Sequence, residues 1–129
     1  MTTLSDKIRD CREGVVRNPY QGTDKKVLFV CSMGILRSAT GARLYAPKYN
    51  TRTAGSWHDA LVPITAILIA WADEIVFVNK ENYEQVVKQL DGEAFDFVDK
   101  KSKVLNIPDQ YPHMHPELIK AFKGQYEDI

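Results

Sequence analysis

Lys26-Val27-Leu28-Phe29-Val30-Cys31-Ser32-Met33-Gly34-Ile35-Leu36-Arg37-Ser38 is the stretch on which the fold turns. Lys26 to Val30 is a short apolar, β-branched run of the type buried in a parallel sheet. It ends at Cys31, a glycine-containing loop follows, and Arg37 to Ala46 carries good helix formers until Pro47 stops them. Strand, glycine loop and helix in immediate succession predict the opening unit of an α/β domain. In open α/β sheets ligands bind beyond the carboxyl ends of the strands, so Cys31 stands where a site belongs.

The residue types in that loop suit an anion. Successive backbone N–H groups backed by a helix N-terminus form a concave anion receptor, and the same field favours the thiolate of a cysteine placed in it. Arg37, six residues on, can return across the loop and offer two parallel N–H groups to phosphate oxygens, which lysine cannot copy. Ser38 can hydrogen-bond the sulfur. Gly34 marks a point needing positive φ. Ser32, Met33, Gly34, Ile35 and Leu36 are expected to bind the anion through the loop; Met33, Ile35 and Leu36 serve as N–H donors, with side chains packed inward or lining the mouth.

Outward from the loop, strands and helices alternate. Tyr49 to Ala54 reads as a second strand, Pro63 to Trp71 as a helix, Glu74 to Val78 as a third strand. Asn79 can cap a helix over Lys80 to Leu90, ended by Asp91-Gly92; Lys103 to Ile107 offers a fourth strand, and a helix over Glu117 to Lys123, with Pro116 at its first position, closes the chain. The expected fold is three-layer α/β, a four-stranded parallel sheet flanked by helices over residues 25–129. Before it, Leu4, Ile8, Cys11 and Val15 recur at helical spacing, giving residues 1–24 as an N-terminal helical extension with Cys11 as a small packed hydrophobe.

The 129 residues suffice for one domain, and 17 basic against 17 acidic residues leave no net field to recruit nucleic acid or an anionic membrane. No apolar stretch is long enough for a membrane span, and the N-terminus lacks the apolar core of a signal peptide, so the expected location is the cytoplasm. Two cysteines are too few for a disulfide framework, and none lies near His58, His113 or His115 in zinc-site spacing; no metal or other cofactor is expected.

Val27 to Ser38 resembles the phosphate-binding loop of low-molecular-weight protein tyrosine phosphatases, whose pattern is C-x5-R-S. The resemblance continues through Thr53-Ala54-Gly55, Ala72-Asp73 and Ile107-Pro108-Asp109-Gln110-Tyr111, covering roughly Lys26 to Phe122. It implies a phosphomonoester hydrolase, a protein tyrosine phosphatase working through phosphocysteine on Cys31, with phosphate or sulfate bound in the loop and a phosphotyrosine protein or small phosphomonoester as substrate. Arg37 would clamp phosphate, Ser38 support the sulfur and Asp109 act as general acid then base. The acid far downstream of the nucleophile distinguishes this family from larger tyrosine phosphatases, which place it upstream. Asp109 read on its own is also an ordinary turn residue after Pro108. Tyr111 and Trp57 match places where the family walls a phosphoaryl group, although Trp57 reads equally as a loop-packing aromatic.

The loop departs from the family in detail: Met33-Gly34 stands where Gly-Asn is usual, and Leu36 replaces a neighbouring cysteine, removing an intraloop disulfide. Two other readings stay open. An arsenate reductase would share fold and loop, but an internal relay needs further cysteines and only Cys11 is left. A module that binds phosphate or a phosphoprotein without turnover is the other.

Overall fold

The computed structural model describes residues 24–128, so the helix expected over the N-terminal extension lies outside the described residues. Four strands form one parallel sheet: β1 (Lys26–Cys31), β2 (Asn50–Gly55), β3 (Glu74–Phe77) and β4 (Ser102–Val104), in the order β2-β1-β3-β4. Among the described residues five helices connect and flank them: α1 (Arg37–Tyr45), α2 (Ala66–Trp71), α3 (Lys80–Val87), α4 (Gly92–Asp99) and α5 (Pro116–Gln125). The expected α/β architecture is what the chain adopts.

The period-two alternation of β1 sorts its side chains to two cores. Leu28 and Val30 join Ile75, Phe77, Ile69, Val86 and Val98 beneath α2, α3 and α4. Val27, Phe29 and Cys31 face the other way and join Val76, Val78, Leu118 and Phe122 against α1 and α5. On that second side Phe29 stacks on Tyr45, and Phe122 and Tyr126 meet Phe29 edge-on, contacts that each add about 0.5–1.5 kcal/mol beyond area burial. Burial pushes the Tyr126 phenol far above its ordinary range, helped by its 2.5 Å bond to Glu74 Oε1, and holds it as a neutral donor.

Three elements differ from expectation. The helix expected from Pro63 begins at Ala66, capped by Thr65, because Val62 and Ile64 donate their backbone N–H groups to Met33 and Gly55 and keep the chain extended. Lys80–Val87 stops before Leu90, and α4, absent from the sequence reading, follows at once. Asp91-Gly92, expected to end the preceding helix, instead opens α4 as its N-cap and first residue, with Gly92 at φ +47° and buried Ala94 and Val98 on one face. β4 is shorter than expected, yet Leu105 and Ile107 still donate to Phe77 and Val78, so the chain stays beside β3 until it turns into the Asp109 loop.

The strand order places the site. From β1 the chain crosses to β2 on one side, then returns past β1 to β3 on the other. Loops leaving β1 and β3 therefore diverge, and a crevice opens between them at the carboxyl end of the sheet.

Candidate functional site

At the carboxyl end of β1 the loop curls back on itself, and its carbonyls show why. Ser56 N–H donates to Cys31 O at 2.8 Å, Trp57 N–H to Ser32 O at 3.1 Å and Val62 N–H to Met33 O at 3.1 Å. The Thr53 hydroxyl donates to Gly34 O at 2.9 Å. Four successive carbonyls are thus taken outward, three by the segment that follows β2 and the fourth by Thr53 of β2 itself. In a trans peptide the N–H points opposite to the C=O, so the N–H groups of Ser32, Met33, Gly34 and Ile35 turn inward. Gly34 N–H illustrates this, lying 3.2 Å from Cys31 Sγ.

Two glycines make the curl possible. Gly34 sits at φ +84°, in the left-handed region. Gly55 lets β2 approach the loop: a Cβ there would lie 2.5 Å from Ser32 O and 2.6 Å from the carbonyl carbon of Met33.

Cys31 is 2% exposed, at the bottom of this cup. Its sulfur lies 3.0 Å from Ser38 Oγ, and Ser38 is linked in turn to the Thr53 hydroxyl. Arg37, the first residue of α1, is buried; its Nη1 donates to Ile107 O at 3.0 Å and its Nη2 to Ser32 Oγ at 3.2 Å. Asp109 Oδ1 is 3.6 Å from Arg37 Nε, an ion-pair distance, while the Asp109 side chain remains 63% exposed.

Ser32, Met33, Arg37, Trp57 and Asp109 line one cleft of about 350 Å³, together with Asn79, Glu81, Asn82 and Gln85 from the loop after β3 and from α3. Several expected residues sit elsewhere. Ile35 and Leu36 are neither packed inward nor at the mouth; both are exposed and outside the cleft lining. Tyr111 stacks on His115, accepts a bond from Gln110 Nε2 and packs on the α5 side of the core, leaving Trp57 as the aromatic ring of the cleft. Among the described residues no cluster of three metal-ligating side chains occurs, and no helix is long and apolar enough to cross a membrane.

The sequence reading passed over Thr53 and Asn82. Thr53 is a hydroxyl at the end of a strand beside the loop, a signal visible only once β2 pairs with β1. Asn82 lies one turn after the Asn79 cap and is 1% exposed, which nothing in its neighbourhood of charged residues announces.

Fold and cleft together define a doubly wound parallel α/β domain with a thiol at the end of its first strand, inside a loop of inward-facing N–H groups. Two solved structures share this fold. One is Wzb of Vibrio vulnificus, in complex with benzylphosphonate, at 20% identity over 78% of this chain and 91% of that one, TM-score 0.58. The other is the tyrosine phosphatase AmsI of Erwinia amylovora, at 21% identity over 86% of this chain and 92% of that one, TM-score 0.57. No family model and no curated protein matches the sequence.

Proposed function

We propose that the protein is a cysteine-dependent phosphomonoester hydrolase of the low-molecular-weight protein tyrosine phosphatase type. The observation that carries this is the outward capture of four successive loop carbonyls, which turns the intervening N–H groups toward Cys31 Sγ. Such a cup matches the three equatorial oxygens of a phosphoryl group, where charge develops during transfer.

In the first step the Cys31 thiolate attacks phosphorus, the bond from phosphorus to the ester oxygen breaks, and protonated Asp109 gives its proton to the leaving oxygen. Gly34 N–H is the donor at the sulfur, Ser38 Oγ lies against it at 3.0 Å, and Arg37 spans the anion. In the second step a water attacks the phosphocysteine, Asp109 takes a proton from it, the P–S bond breaks and phosphate leaves with the thiolate restored. No step calls on a metal.

Phosphotyrosine is the favoured substrate side chain. It agrees with the benzylphosphonate bound by Wzb and with AmsI being a tyrosine phosphatase, and Trp57 offers one aromatic face. The expected result is turnover of an aryl phosphate in the presence of chelator, abolished by Cys31→Ser with phosphate binding retained. Phosphate binding without hydrolysis by the wild type would leave a binding module; thiol-dependent formation of arsenite from arsenate would make it a reductase.

A further inference from the structure

The loop after β1 and the helix after β3 meet through one hydroxyl. Ser32 Oγ accepts from Arg37 Nη2 at 3.2 Å and from Asn82 Nδ2 at 3.2 Å. A serine oxygen has two lone pairs, and both are occupied. What remains is its single O–H, in the cleft that Arg37 and Asp109 also line.

Asn82 is committed to this arrangement. One proton of its Nδ2 goes to Ser32 and the other to Ser56 Oγ at 3.0 Å; Ser56 in turn donates to Gln85 Oε1 at 2.5 Å. The amide end of Asn82 is therefore fully used as a donor, while its carbonyl Oδ1 is buried with no hydrogen-bond partner among the described residues. Burying an unpaired carbonyl destabilises a fold. An apolar residue of similar volume avoids that penalty but supplies no N–H to Ser32. The position thus favours the donor over stability, as sites do when a side chain serves a ligand.

Resting on the phosphoryl-binding reading above, we infer that Ser32 contributes its side-chain hydroxyl as an additional hydrogen-bond donor to a non-bridging phosphoryl oxygen, and that Asn82 is the positioning residue that fixes its direction. Arg37 and Asn82 hold the oxygen from two sides, so the proton is aimed before the anion arrives. The gain is preorganisation: a serine free to rotate would lose that freedom on binding. The loop's backbone donors come from the chain around Cys31, whereas this donor depends on α3, across the crevice between β1 and β3. It makes recognition of the phosphoryl group a property of both walls.

The test is the affinity of the full chain for inorganic phosphate, measured by calorimetry for wild type, Ser32→Ala, Asn82→Ala and the double variant, beside turnover of an aryl phosphate. Ser32→Ala is expected to weaken phosphate binding by roughly tenfold to a hundredfold, the worth of a hydrogen bond to a charged group. Asn82→Ala should weaken it by a smaller factor, and should add nothing once Ser32 is already alanine. If Asn82→Ala does not fold, Asn82→Leu, which fills the same space, completes the cycle. Phosphate affinity of Ser32→Ala within about twofold of wild type overturns the proposal, as does an Asn82 effect undiminished in the Ser32→Ala background. Wild type that binds phosphate but hydrolyses nothing removes the hydrolase reading and leaves this one standing. Hydrolysis with unchanged Ser32→Ala binding removes this one alone, and wild type that binds no phosphate removes both.

Discussion

Two loops face each other across the cleft, and they are held by opposite means. From Cys31 to Arg37 the backbone is anchored at nearly every residue: four carbonyls are captured by β2 and the segment after it, Gly34 N–H meets the sulfur, and Arg37 and Ser38 are buried. From Pro108 to His115 most residues are exposed, and the anchors are few. Thr40 on α1 accepts from Met114 N–H at 2.8 Å and lies 3.3 Å from His113 Nδ1, while Arg37 bonds Ile107 O just before the loop begins. Under the proposed mechanism the division is physical good sense. The anion cup must not rearrange while charge develops within it, whereas the acid must admit a substrate, deliver a proton and release a product. Local rigidity follows from the density of buried hydrogen bonds, and the two loops lie at opposite ends of that scale.

The comparison can be broken most severely at Asp109. Asp109→Asn should slow hydrolysis by ~10² to 10⁴, the usual worth of general acid catalysis, with a smaller loss for leaving groups of low pKa and unaltered melting temperature. Equal rates in variant and wild type would remove Asp109 from the chemistry. On the rigid side, Gly55→Ala should cost turnover by about 10², because the loop backbone must shift to admit the Cβ and misplacement on the order of 1 Å is enough for such a loss. Phosphate affinity should fall with it; a variant with wild-type affinity would show that the cup is not as closely held as its contacts imply. The smallest effect is expected from Thr40→Val, which unhooks the exposed loop from α1. Losing that bond should lower kcat/KM by at most about tenfold while leaving phosphate affinity intact, since only the acid side is loosened. A fall in phosphate affinity for Thr40→Val would mean that the two loops are mechanically one.

Much of the sheet was legible because buried parallel strands announce themselves as apolar runs, and β1 is the plainest of these. Asn79 and Pro116 marked helix starts correctly, one by its side-chain cap and one by its place at the first turn. α4 was missed because Asp91-Gly92 reads locally as termination chemistry, whereas α3 already stops at Val87 and Asp91 is the N-cap residue of the next helix. The start of α2 was misplaced because Pro63 is a good first helical residue locally, while pairing with Gly55 and Met33 demands extended backbone there. At the site, Ser32, the arginine and the aspartate line a cleft that could be foreseen only in part. Ser32 and Arg37 sit in the loop that the C-x5-R-S pattern marks, and Asp109, 3.6 Å from Arg37 Nε, comes from the loop that the family resemblance added. Asn82, Thr53 and the displacement of Tyr111 arise from tertiary packing between elements far apart in the chain, for which no local pattern exists.

The segment from Ser56 to Ile64 carries no regular secondary structure for most of its length, yet its amides complete the loop and the end of β2. In hydrogen exchange it should not behave as an irregular connection. The amide protons of Ser56, Trp57, Val62 and Ile64 should open with the sheet as a single cooperative unit, since none can be released without letting go of the backbone around Cys31 or Gly55. An anion seated in the loop would then slow exchange at residues that never touch it, so that occupancy of the cup is written into the protection of a stretch on its outer wall.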